Sequence, residues 1–99
     1  PSKSLNKLMV AYEPVWAIGK TAQDAMQPSD LEEMVIFIRK TLAQTLERAG
    51  ALKVPILYGG SVEAQNARAL YQESGVSGFL IGHASSKGDS FVNILKALA

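Results

Sequence analysis

The 99-residue chain has no cysteine, one histidine and one tryptophan. Without thiols there is no disulfide framework, no thiolate zinc site and no cysteine nucleophile, a composition that fits the cytosol. Charge of a single sign is also missing. Ten Lys and Arg against nine Asp and Glu leave a formal net charge of +1, and no basic block marks nucleic acid or an anionic membrane as a partner. No apolar run approaches the length of a membrane span, and the opening residues do not read as a signal peptide. The first residues are Pro-Ser-Lys rather than Met, which reads as a piece of something longer or as a proline exposed by removal of an initiator Met.

What the chain does have is apolar material: 47% of its residues are hydrophobic, enough to expect a packed core and not disorder. Its length suits one small domain and falls short of a usual barrel or doubly wound enzyme. Three strand-then-helix units follow one another. "LMVAY" (Leu8 to Tyr12) is a nearly continuous apolar run, as expected of a strand buried on both faces. Ser29 with Glu32 predicts a capping box at the start of a helix reaching Ala49, with an apolar stripe at Leu31, Met34, Val35, Ile38, Leu42, Leu46 and Ala49 and a stop at Gly50. "VPILY" (Val54 to Tyr58) is the second strand and Ala64 to Glu73 a shorter helix, ended near Gly75. "GFLI" (Gly78 to Ile81) is the third strand, and Phe91, Val92, Leu95 and Leu98 give the last helix its buried face. This alternation predicts an α/β fold with parallel strands and right-handed crossovers. Three such units without a reversal suit a barrel segment better than an open sheet. In that arrangement Val10, Ile56 and Leu80 are expected on the inner face.

The residues with chemistry to offer fall at one kind of place. Glu13, "YGGS" (Tyr58 to Ser61) and "GHAS" (Gly82 to Ser85) each follow the C-terminal end of a strand, the edge where parallel α/β proteins bind ligands. Standing alone, Glu13 would be a solvated strand-end charge, Trp16 a core residue and Tyr-Gly-Gly-Ser an ordinary turn. Two bare parallel edges are a liability for an isolated domain and ask for a partner that re-pairs them.

Context changes the reading of those residues. "AYEPVWAIGK", "ILYGGSV" and "GFLIGHAS", in that order and at that spacing, resemble the three C-terminal signature segments of the triosephosphate isomerases, over nearly the whole chain. The resemblance implies the last three strand–helix units of a TIM (β/α)8 barrel. It implies an isomerase that interconverts dihydroxyacetone phosphate and D-glyceraldehyde 3-phosphate through an enediolate, with no cofactor and no metal. Glu13 aligns with the catalytic base, a role that calls for a carboxylate held rigidly and away from bulk water. Pro14 keeps Glu13 extended and ends the strand. Pro14, Val15, Trp16, Ala17, Ile18, Gly19 and Lys20 resemble the closing lid, whose apolar tip keeps water from the intermediate. Tyr58 and Ser61 match the residues that latch the closed lid. The backbone N–H groups of Gly19, Ser61, Gly82 and His83 match those that hold the substrate phosphate.

Two departures stand out. The family's usual Gly-Thr-Gly-Lys-Thr-Ala is replaced by Gly19 followed directly by "KTAQDAMQ", leaving the second lid hinge open. His83 stands where the family has a glycine, which keeps the N–H and adds a side chain beside the anion. The family's substrate-binding Lys, its electrophilic His, its second active-site Glu and its dimer-docking loop lie on earlier strands. The resemblance therefore implies that this chain is inactive by itself, that missing N-terminal barrel units are its partner, and that the complete enzyme is a cytoplasmic, glycolytic homodimer. A standalone phosphate-binding or assembly module derived from a barrel fragment is the alternative.

Overall fold

The computed structural model describes residues 7–14, 26–81 and 88–99. Three short parallel strands, β1 (Val10–Tyr12), β2 (Ile56–Tyr58) and β3 (Gly78–Phe79), form one sheet in the order β1-β2-β3. Val10 stands opposite Ile56, Tyr12 opposite Tyr58, and Tyr58 opposite Phe79. The ladder continues past the strand ends through Val10 N–H to the Pro55 carbonyl (2.9 Å) and Gly59 N–H to the Tyr12 carbonyl (2.8 Å). β2 begins one residue after Pro55, later than the apolar run suggests, because Pro55 has no N–H to give. The Ile56 N–H goes instead to Oγ of Ser77 at 3.0 Å, while Ser77 N–H returns to the Ile56 carbonyl at 2.8 Å.

The helices are α1 (Pro28–Thr45), α2 (Arg48–Ala51), α3 (Ala64–Ser74) and α4 (Gly88–Leu98). The first differs from the sequence expectation at both ends. Gln27 is its N-cap and makes no side-chain cap bond, and Pro28 occupies the first turn, so Ser29 lies inside the helix and forms no capping box. Proline suits that first position because its missing N–H would have no helical partner there. At the other end α1 stops at Thr45. The hydroxyls of Thr41 and Thr45 bond back to the carbonyls of Phe37 and Thr41 (2.9 and 3.1 Å), contacts that bend helices. Leu46 is extended, and the chain rewinds as α2, so Gly50 sits within a helical turn and Ala49 is exposed. Nη1 of Arg39 fixes this corner, donating to the carbonyls of Ala51 (3.3 Å) and Val54 (2.8 Å).

The capping box belongs to α3. Glu63 is the N-cap and Asn66 the third helical residue; Oδ1 of Asn66 accepts the Glu63 N–H at 2.7 Å, and its Nδ2 donates to the Ser61 carbonyl at 3.1 Å. Gly75 ends α3 with φ of 84°, a left-handed conformation in which a Cβ is strained. Ser74 is buried there and satisfied, its hydroxyl donating to the Leu70 carbonyl and accepting the Val76 N–H.

The core lies between the sheet and the helices. Ile56 and Tyr58 are wholly buried with Leu31 and Val35 of α1, Ala67 and Leu70 of α3 and Ile94 of α4, and Val10, Tyr12 and Phe79 pack on the same cluster. Alternate strand residues share a face, so Val10 and Ile56 belong to the helix side and not to the opposite face, where Leu80 remains, 39% exposed. β1 is only half covered: Ala11 and Met9 are exposed, against the expectation of burial on both faces. In α4, Ile94 is the buried residue and Leu98 half-buried, while Phe91, Val92 and Leu95 are exposed.

Candidate active site

The C-terminal edge of the sheet gathers the described candidate residues. Glu13 leaves β1 immediately after Tyr12 and Pro14 behind it is buried, but Glu13 itself is exposed, so the shielding from bulk water expected of a base is not supplied by the described residues. The main chain here is tied to β2, since Tyr12 accepts the Gly59 N–H. The Glu13 side chain then lies across the α-carbon of Gly59. A Cβ built on Gly59 collides with Cγ of Glu13 and comes within 3.0 Å of its Cδ and Oε1.

Tyr58 projects to the other side of the sheet. Its ring is fully buried, and its hydroxyl oxygen accepts the N–H of Met26 at 3.3 Å. Burial pushes the phenol up from its ordinary value, with the Met26 N–H acting in the opposite sense and Tyr12 adding to the rise. The ring also occupies the space beside Gly60, where a built Cβ collides with Oη and Cζ of Tyr58. The two glycines thus have a reason other than turn geometry. Among the described residues only Gly75 has a positive φ, so Gly59 and Gly60 are needed for room, and the room is taken by the protein's own side chains.

Described residues from β1 and from the lead-in of α1 meet at Tyr58-Gly59-Gly60. Residues 12–13 approach Gly59 from one side and Met26 reaches Tyr58 from the other. Ser61 is drawn into the same edge by Asn66, which holds its carbonyl. Neither Met26 nor Asn66 was marked as a site residue by its sequence. Met26 acts through its backbone, which leaves no signature; Glu63-x-x-Asn66 is a legible polar capping pair, hidden because glutamate is an uncommon N-cap. Val15, Trp16, Ala17, Ile18, Gly19 and Lys20 of the expected lid, and Gly82 and His83 of the expected phosphate loop, lie outside the described residues. Among the described residues no cluster of His, Cys, Asp or Glu is placed to hold a metal ion, and no helix is long and apolar enough to cross a membrane.

A parallel α/β sheet that carries a carboxylate at its C-terminal edge, beside a glycine-lined turn, is the frame of a ligand-binding or catalytic α/β protein. Comparison with known proteins gives the family. The triosephosphate isomerase family model matches residues 1–98, and the chain belongs to that family. It is 40% identical over 92 residues to triosephosphate isomerase of Dictyostelium discoideum, an alignment that takes in 93% of this chain and 35% of that protein. It is 50% identical over 92 residues to the Colwellia psychrerythraea triosephosphate isomerase (91% of this chain, 34% of that one). A cytosolic triosephosphate isomerase of Stellaria longipes is 41% identical over 98 residues (99% and 37%). The chain spans a little over a third of the length of such relatives.

Proposed function

We propose that these residues supply the catalytic base of a triosephosphate isomerase, and that they form the last three strand–helix units of its (β/α)8 barrel. The observation that carries the proposal is the position of Glu13. Its carboxylate follows β1 at the sheet edge and rests on Gly59, inside the segment "AYEPVWAIGK". The base takes a proton from the carbon beside the substrate carbonyl and returns it to the neighbouring carbon, through an enediolate. A shift of about 1 Å in such a group costs on the order of 100-fold in rate, so a carboxylate on a tethered strand end suits the work. The backbone N–H groups of Ser61, Gly19, Gly82 and His83 hold the substrate phosphate, and Tyr58 and Ser61 latch the lid that runs from Pro14 to Lys20.

Support for an incomplete barrel comes from the surface. β1 and β3 are both edges. Leu80 and Met9 are exposed at the sheet, Ile36 and Phe37 on α1, and Phe91 and Leu95 on α4. Preceding units of a barrel would cover such apolar surface. The substrate-binding Lys and the electrophilic His come from those units, so the 99 residues have no turnover alone. The complete enzyme is a cytoplasmic, glycolytic homodimer. The test is an isomerase assay of purified 1–99, alone and mixed with the five preceding strand–helix units. The expected result is a rate equal to the buffer blank alone and turnover on mixing. Clear turnover by homogeneous 1–99 overturns the incomplete-barrel reading in favour of a self-sufficient module.

A further inference from the structure

Glu13 is exposed, and as an exposed glutamate it has several rotamers open to it. Its backbone is fixed by the Gly59 N–H bond to Tyr12 at 2.8 Å, yet that bond does nothing to choose among those rotamers. The rotamer Glu13 takes is one that only a residue without a Cβ at position 59 permits. Cγ of Glu13 occupies the place a Cβ on residue 59 would take, and Cδ and Oε1 lie within 3.0 Å of it. We infer that Gly59 is a positioning residue for the base: by having no side chain it leaves open the place over its α-carbon that the Glu13 side chain takes at the sheet edge. This rests on the reading of Glu13 as the base, and it assigns to Gly59 a role separate from both phosphate binding and turn formation.

The chemistry of the contact makes the idea testable. The atoms a Cβ would meet belong to a flexible, exposed side chain. Gly59→Ala therefore leaves the fold room to adjust by swinging Glu13 away, and what is lost is the carboxylate's place. Gly78 supplies a control outside the site, since a Cβ there meets only Cδ2 of Leu57, at 3.3 Å.

The experiment is a double-mutant cycle in the complete isomerase that carries these residues. Gly59→Ala is expected to lower kcat about 100-fold with KM within about twofold, and Gly78→Ala to leave kcat unchanged. In a Glu13→Gln background, Gly59→Ala is expected to change the residual turnover by less than about threefold. A purely structural role lowers turnover equally in both backgrounds, and that result, or a Gly59→Ala enzyme with normal kcat, overturns the proposal. Should Gly59→Ala fold poorly, thermal unfolding of Gly59→Ala with and without Glu13→Ala decides instead. Recovery in the Glu13→Ala background supports the contact, and absence of recovery overturns it. A Glu13→Gln enzyme with parental turnover defeats the assignment of Glu13 as the base, a failure distinct from that of the Gly59 contact.

Discussion

The hydroxyl of Tyr58, a side chain with no exposed surface, accepts the backbone N–H of Met26, 32 residues earlier in the chain. This one bond joins the end of β2 to the lead-in of α1. It also satisfies a polar atom that burial would otherwise leave costly.

Burial of the same hydroxyl sets a pH dependence. The folded phenol titrates above its ordinary value near 10 because burial disfavours the phenolate. At pH above about 10 the unfolded chain loses this proton while the folded chain keeps it, so stability is full below pH 10 and falls as pH rises through the folded value. Tyr58→Phe is expected to flatten that alkaline decline and to cost about 1 kcal/mol at neutral pH through the orphaned Met26 N–H. Urea unfolding at pH 7 to 11 of parent and variant checks both signs.

Gly60 is predicted to be less tolerant than Gly59. The atoms a Cβ on Gly60 would strike belong to the buried Tyr58 ring, which has no free space to enter. Gly60→Ala is expected to destabilise by about 1–3 kcal/mol through overpacking. Gly60→Ala combined with Tyr58→Ala is expected to show a smaller additional loss than the two changes summed. Equilibrium unfolding of the three variants measures it.

Arg39 should matter to folding more than an exposed-side arginine usually does. Its Nη1 bonds two carbonyls at the corner between α2 and β2. Arg39→Met keeps most of the stem and removes both bonds, and a loss of about 1–3 kcal/mol is expected. Hydrogen exchange should show the change concentrated in residues 48–56.

How much of this was legible in the sequence differs element by element. The parallel α/β order was readable because each strand is a short apolar run between helical stripes, and Gly75 stopped α3 as expected. The faces were not. Val10 and Ile56 turn to the helices and Leu80 away from them, and a run that is apolar at every position carries no phase from which to tell. At α1, Ser29 and Glu32 formed a plausible cap, but Pro28 began the helix two residues sooner. On α4, Ile94 took the buried position expected of its neighbours Phe91, Val92 and Leu95, since several overlapping stripes share helical spacing. At the site, Glu13 and Tyr58-Gly59-Gly60 were marked by motif. Their mutual geometry was not, because room for a neighbour's side chain is a property of three dimensions.

The exposed edges predict the behaviour of the isolated chain. With β1 and β3 the edges of the sheet among the described residues and Ile36, Phe37, Phe91 and Leu95 in solvent, residues 1–99 are expected to associate or to be partly disordered in dilute solution. Sedimentation over a concentration series, with exchange on the strand amides, checks this. A compact monomer, unchanged on dilution and protected on all three strands, favours the standalone module.

If Glu13 moves the proton, turnover of the complete isomerase carrying Glu13→Asp is the measurement that responds first. Shortening the side chain by one methylene withdraws the carboxylate from its seat on Gly59 while keeping its charge. In that enzyme kcat for dihydroxyacetone phosphate and glyceraldehyde 3-phosphate interconversion is expected to fall by about 100-fold or more, with KM little changed. Turnover within a few-fold of the parent contradicts it.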